Sequence, residues 1–226
     1  ATIQIYKNAT KQITKIINER IKTWQNIFLQ KDNTLLIVGG DNTLTQFDQE
    51  KETFEFKEAV WPARENKMDL AVTYNTKLYS LDKKSNQIFK HPPTTTGFGK
   101  GVAWLKTNQG IDLTDVTSMA IDGNIYVAKQ NGQIYKLESG FLSTFEINFL
   151  DPVLINVTKI YTKNGSDNFF VLDKEKKRVI IWNKTTNKLV TQLTNPNWDN
   201  LKDFSIDEKE RKIYLLNGST IQSTKY

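Results

Sequence analysis

A short apolar strand recurs along the chain: Leu36-Ile37-Val38, Leu78-Tyr79-Ser80, Ile125-Tyr126-Val127, Phe169-Phe170-Val171 and Ile213-Tyr214-Leu215. The steps between first residues are 42, 47, 44 and 44 positions. A period of about 40–45 residues belongs either to helical pairs or to four-stranded propeller blades, and local periodicity separates the two. Here apolar residues alternate with a period of two, so the repeating unit is built of strands. The flanks recur as well. Asn86-Gln87-Ile88-Phe89-Lys90 matches Gly132-Gln133-Ile134-Tyr135-Lys136, and Arg178-Val179-Ile180-Ile181-Trp182 takes the same place one unit later. Asp122-Gly123, Asn131-Gly132, Asn164-Gly165 and Asn217-Gly218 supply hairpin turns, because both residue types tolerate positive φ. One such sheet cannot bury both of its faces, so successive sheets must stack. The expected fold is all-β: a β-propeller of about five blades over residues 31–226.

The ends are less regular. The last unit supplies three strands, and residues 2–6, alternating polar and apolar, are expected to add the fourth and join the chain ends. The first unit shows no inner strand before Leu35. Between Asn8 and Gln30, Ile13, Ile16, Ile17, Ile21, Trp24, Ile27 and Phe28 fall at three- and four-residue steps, which predicts an N-terminal amphipathic helix within residues 1–30. Its apolar stripe is expected to pack on the propeller or on a neighbouring chain, with Lys11, Lys15 and Lys22 in solvent. The alternative use of residues 9–29 is peripheral contact with an anionic membrane.

The composition narrows function chiefly by exclusion. With 38% hydrophobic residues, 12 Phe, 8 Tyr and 5 Trp, the chain has ample material for a core. Its net charge is +6, but the 25 acidic residues are interleaved with the 31 basic ones, so nucleic acid is not the expected partner. There is no Cys, which removes disulfides and thiolate metal sites. No run of about 18 apolar residues is present, as a membrane span requires. The chain begins at Ala1, and it is expected to be a processed or trimmed piece of something longer.

The strings Gly99-Lys100-Gly101-Val102-Ala103-Trp104, Ser118-Met119-Ala120-Ile121-Asp122-Gly123-Asn124-Ile125-Tyr126-Val127 and Val171-Leu172-Asp173-Lys174 with Arg178-Val179 give residues 98–226 a further likeness. This part resembles the C-terminal propeller of membrane-anchored proteins from uncultured candidate-phylum bacteria, some of which resemble PPM-type phosphatases upstream. The resemblance implies an accessory domain exposed at the cell envelope or outside the cell, and it carries over no catalytic residue. The repeat is also similar to WD-type and NHL-type propellers, without the Gly-His and Trp-Asp pairs of the former.

Catalytic groups are sparse in the sequence. His91 is the only histidine; it precedes Pro92-Pro93 and is expected to lie exposed on a loop, too isolated for a multi-histidine metal site or a triad. Asp69, Asp112, Asp115, Asp151, Asp199 and Asp203 are candidates for paired-carboxylate chemistry, with backbone capping as the ordinary alternative. Val38-Gly39-Gly40-Asp41-Asn42 lacks the Lys-Ser/Thr of a phosphate loop and is expected to be a hairpin turn. No catalytic residue, metal or cofactor is expected, and the chain is expected not to be an enzyme. The expected function is a binding or sensory propeller that engages a protein or glycan through its loops. A carboxylate hydrolase or lyase and a structural scaffold are the alternatives. The long irregular segments 59–68 and 91–113, with the later inter-blade connection around Trp198, supply the candidate binding residues: Trp61, Arg64, Phe98, Lys100, Trp104, Lys106 and Trp198. Aromatic residues beside Arg or Lys on long loops have the composition of interface hot spots. Packing between blades is the competing reading for Trp61 and Trp104.

Overall fold

The computed structural model describes residues 2–7, 12–17, 24–30, 34–39, 41–62, 68–107, 109–147 and 150–226. It divides into two compact units, residues 1–103 and 104–226. Within the described residues there is no helix; every regular element is a strand.

In the first unit, β1 (Thr2–Lys7) and β2 (Gln12–Ile17) form an antiparallel hairpin in register Thr2 to Ile17. The first blade follows as β3 (Trp24–Leu29), β4 (Leu35–Gly39), β5 (Leu44–Asp48) and β6 (Thr53–Ala59), each antiparallel to the one before. The second blade is β7 (Leu70–Tyr74), β8 (Lys77–Asp82) and β9 (Gln87–His91). After β9 the chain turns back. β10 (Gly97–Phe98) runs parallel to β6 of the first blade, and β11 (Val102–Ala103) then returns as the fourth strand of the second.

Two expectations are corrected here. Residues 12–17 and 24–29, expected on a helix, are strands; the remainder of that segment, residues 8–11 and 18–23, lies outside the described residues. β-Branched Ile13, Thr14, Ile16 and Ile17 and aromatic Trp24 and Phe28 suit a pleated surface better than a helix, and short apolar runs fit both periods. The burial of β3 shows the period of two: Phe28 packs against the core beneath the first blade while Ile27 and Leu29 stay exposed. β3 is therefore the inner strand that the first unit had seemed to lack. The second correction concerns β1. Expected to complete the last blade, it pairs instead with β2.

In the second unit, the third blade is β12 (Val116–Ile121), β13 (Ile125–Lys129), β14 (Ile134–Glu138) and β15 (Phe141–Ser143). The fourth is β16 (Val157–Tyr161), β17 (Asn168–Asp173), β18 (Arg178–Asn183) and β19 (Lys188–Thr194). The fifth has three strands, β20 (Leu201–Asp207), β21 (Lys212–Asn217) and β22 (Thr220–Lys225). Alternation explains the stacking. On β17 and β18, Phe169, Val171, Ile180 and Trp182 face the core shared with the third blade, whereas Phe170, Leu172, Val179 and Ile181 face the core shared with the fifth. Both faces of the sheet are buried at these two strands, so 169–172 and 179–182 are continuous apolar runs rather than alternating ones.

Candidate functional site

Four of the predicted site residues fall in the first unit. Residues 92–101 form a closed loop in which the Thr94 amide donates to the Gly97 carbonyl at 2.9 Å and the Gly99 amide to the Pro92 carbonyl at 2.8 Å. The loop is sewn to the end of the first blade, where the amides of Glu58 and Val60 donate to the carbonyls of Thr96 and Phe98, both at 3.1 Å. Only glycine allows this approach at position 97, since a Cβ there would lie 2.1 Å from the Glu58 carbonyl oxygen. Phe98 is consequently buried with Leu36, Val38, Leu44, Ala71 and Leu78, and Trp61 packs half-buried against the same cluster. Lys100 is exposed. Arg64 lies outside the described residues.

His91, expected on an exposed loop, is instead the buried last residue of β9 and has no accessible surface. The proline loop that follows folds back over it, and Trp61 meets it edge-on at 5.4 Å. Its Nδ1 lies 3.0 Å from the Gly99 carbonyl and its Nε2 2.8 Å from Ser80 Oγ. A carbonyl only accepts, so Nδ1 carries the proton, and Nε2 accepts from the Ser80 hydroxyl. The pairing looks like that of an activated serine, but Ser80 is equally inaccessible and no substrate reaches it. Burial pushes the imidazole below its ordinary range, against a smaller opposing effect of the Gly99 and Val60 carbonyls. As the pH falls, the unfolded chain takes up a proton near pH 6.5 before the folded one does. This site's stability is therefore complete above about pH 6.5 and is lost as the pH falls towards the lower folded value. Wild type should lose more stability between pH 7.5 and 5 than His91→Gln does, measured by urea unfolding across that range. Equal losses would show that His91 charges without penalty.

Four of the carboxylate candidates are committed to local partners. Asp69 accepts from the Lys83 amide at 2.8 Å, Asp199 pairs with Lys177, and Asp203 pairs with Lys159. Asp112 accepts from Lys129 Nζ at 2.6 Å and from the Thr114 amide and hydroxyl, and these bonds hold its carboxyl down to about 2. Asp115 and Asp151 are exposed. Among the described residues, no three His, Asp or Glu side chains gather where they would hold a metal ion.

The outer edge of the third blade, in the second unit, brings more together. β15 pairs with β14 over three residues only, Lys136 to Ser143, Leu137 to Leu142 and Glu138 to Phe141. Beyond Ser143 the chain turns away as Phe145 packs against the core, meeting Tyr126 edge-on at 5.2 Å and Phe169 at a tilt at 5.0 Å. The gap that opens is a groove of about 530 Å³, floored by Ile134 and Tyr135 and walled by Leu142, Ser143, Thr144 and Glu146. At the other end of β15, residues 104–107 and Gln109 strap the edge. The Lys106 amide and Gln109 Nε2 both donate to the Gly140 carbonyl, at 2.9 and 2.8 Å, and the Leu142 amide donates to Gln109 Oε1. Gly140 sits at φ +89°, and a Cβ there would meet the Trp104 carbonyl at 2.3 Å. Trp104 is half-buried and Lys106 exposed beside this strap, while Phe141 and Leu142 remain 56% and 45% exposed. Neither Phe141 nor Leu142 was singled out from the sequence. The available signal was two apolar residues directly after Ser139-Gly140, on the strand that the repeat makes outermost. Trp198 lies elsewhere, buried between the fourth and fifth blades with its Nε1–H donating to Gln222 Oε1 at 3.0 Å.

No known family and no curated protein matches this chain, so the likeness of residues 98–226 to phosphatase-associated propellers finds no support there. Solved structures do match. Virginiamycin B lyase from Staphylococcus aureus is 14% identical, with 100% of this chain and 77% of that one covered at a TM-score of 0.58. A protein provisionally assigned as a 6-phosphogluconolactonase, from Bacteroides fragilis, is 9% identical, with 96% and 70% covered at 0.64. A chain of a nidogen/laminin complex is 12% identical, with 82% and 68% covered at 0.57. Likeness at this identity shows the fold alone, a five-bladed β-propeller arrangement. It also corrects the expectation that the chain is not an enzyme. Enzymes stand among the structures that share this fold, so a sparse His and Cys inventory is no ground for excluding chemistry.

Proposed function

We propose that this chain is a binding domain that takes a protein partner along the outer edge of its third blade. The observation that carries the reading is continuity. Exposed Phe141 and Leu142, the groove beside them and the strap bearing Trp104 and Lys106 form one surface. Contiguous exposed apolar side chains rimmed by polar groups mark contact sites, and a large aromatic residue beside a pocket is the usual anchor. A protein is favoured over a glycan because the exposed apolar groups are a phenyl ring and a branched alkyl chain on a strand edge. The flat faces of Trp61, Phe98 and Trp198 are instead taken up in packing. An accessory role in a larger envelope protein belongs to the same proposal, supported only by the resemblance of residues 98–226.

The test is a displayed random-peptide library selected on the wild-type protein. Selected peptides should bind the double variant Phe141→Ser, Leu142→Ser at least tenfold more weakly, about 1.4 kcal/mol. Val190→Ser, an exposed change on β19, should leave binding unchanged. Peptides indifferent to the double variant would place the contact elsewhere.

A further inference from the structure

Three Asn-Gly pairs stand in the sequence: Asn131-Gly132, Asn164-Gly165 and Asn217-Gly218. Such a pair is open to attack on the asparagine side chain by the next backbone nitrogen, because glycine has no Cβ to hinder the approach. The attack needs an amide nitrogen able to lose its proton, a carboxamide able to swing towards it, and room for the backbone between them to rotate. The three pairs meet these conditions very differently.

Asn131-Gly132 is held at both groups. The Gly132 amide donates to the Lys129 carbonyl at 3.1 Å, and Asn131 Oδ1 accepts from the Gln133 amide at 3.1 Å. The backbone there is also crowded, since a Cβ at Gly132 would lie 2.5 Å from Leu154 Cβ. Asn217-Gly218 is tied more firmly. The Gly218 amide donates to the Asn200 carbonyl at 2.7 Å, Asn217 Oδ1 accepts from the Asn200 amide at 2.8 Å, and Nδ2 donates to the Asn197 carbonyl at 2.9 Å.

Asn164-Gly165 is the tip of the turn that joins β16 to β17. The Ser166 amide closes this turn on the Lys163 carbonyl at 3.2 Å, with Gly165 at φ +77°. Both tip residues are exposed. Among the described residues, nothing bonds the Asn164 carboxamide or the Gly165 amide, and a Cβ at Gly165 would meet nothing within 4 Å. The flanks are fixed, because the buried hydroxyls of Thr162 and Ser166 both donate to the Asn168 carbonyl, at 3.0 and 3.4 Å. Freedom to rotate is therefore confined to the two residues that would react.

We infer that Asn164 is the site at which the folded protein spontaneously deamidates and isomerises. The Gly165 nitrogen gives its proton to solvent base and bonds to Asn164 Cγ; the carboxamide C–N bond breaks, and ammonia leaves with a proton from water. Water then opens the resulting five-membered succinimide. Opening at Cγ leaves aspartate, and opening at the backbone carbonyl leaves isoaspartate, with the chain running through the side chain. Overall, water is consumed and ammonia released, with no change of oxidation state. Each event turns a neutral amide into a carboxylate and lowers the net charge of +6 by one. The new charge stands beside Lys163, whose ammonium lies 3.6 Å from Glu208 of the fifth blade.

The test is ageing of the purified protein in mildly alkaline buffer, followed by peptide mapping with mass spectrometry and by labelling with isoaspartyl methyltransferase. Asn164 should be modified at least about tenfold faster than Asn131 or Asn217, and faster as the pH rises, because the attacking nitrogen must lose its proton. Asn164→Gln should remove most of the methyl label and most of the acidic species seen on isoelectric focusing. In urea the three pairs should react at similar rates, since the fold sets the selectivity. Similar rates in the folded protein, or a folded Asn164 that stays intact while the unfolded chain reacts, would overturn the inference. The same preference for Asn164 in urea would trace it to local sequence and overturn it equally.

Discussion

Replacing Arg178 by methionine is expected to cost about 3–5 kcal/mol of folding stability, the largest effect of any single polar change in this protein. Arg178 and Asp173 close the β17–β18 hairpin with side chains 1% and 0% exposed. The guanidinium donates to Asp173 Oδ2 through Nε at 3.0 Å and Nη2 at 2.9 Å, to Gln192 Oε1 at 2.7 Å, and to the Pro152 and Val153 carbonyls at 2.5 and 2.9 Å. It thus ties three strands of the fourth blade, β17, β18 and β19, to the connection that enters it. Methionine fills much of the volume but leaves a carboxylate buried with no countercharge, and that uncompensated charge dominates the loss. Combining it with Asp173→Leu should recover part of the stability, leaving a deficit of about 1–3 kcal/mol from the orphaned carbonyls. Urea unfolding at constant m-value measures both. A loss under about 1 kcal/mol for Arg178→Met would mean that water reaches Asp173.

Trp198→Ala should cost a similar amount, about 3–5 kcal/mol, through lost packing. The indole is buried among Phe170, Leu201 and Phe204, and its one polar atom is satisfied by Gln222. Trp198 was a candidate binding residue by sequence, so this outcome separates two roles. A binding residue loses affinity at unchanged stability; a packing residue loses stability first. Trp198→Phe keeps most of the apolar area and should recover more than half of the loss. Thermal and urea unfolding decide the matter, and a Trp198→Ala protein as stable as wild type would return the residue to the list of binding candidates.

The blades were legible because sheet-forming sequence is written locally. A period-two strand with a turn on either side commits its own residues whatever surrounds it, and repetition at 42–47 residues multiplies the signal. Where that signal was short it was ambiguous. Ile16-Ile17 and Ile27-Phe28 place apolar neighbours side by side, as a helix stripe does, yet in a strand the second pair splits, with Phe28 inward and Ile27 outward. Candidate site residues were harder for a different reason. Trp61, Phe98, Trp104 and Trp198 look alike in sequence: aromatic residues in connections between repeats. Whether each ring is covered depends on backbone that arrives from a remote stretch of chain.

His91 shows this most clearly. Its own neighbours, Pro92 and Pro93, indicate a loop, and only the return of residues 97–101 onto β6 and β9 seals the imidazole against Ser80 and Trp61. The all-β class, the repeat length and the three inner strands of blades two to five followed from sequence alone, because pleat and turn chemistry act over a few residues. Which aromatic rings are covered, which carboxylates are paired and where β1 bonds were decided by tertiary structure. Burial and hydrogen-bond satisfaction are properties of what two distant segments do to each other, and no single segment carries them.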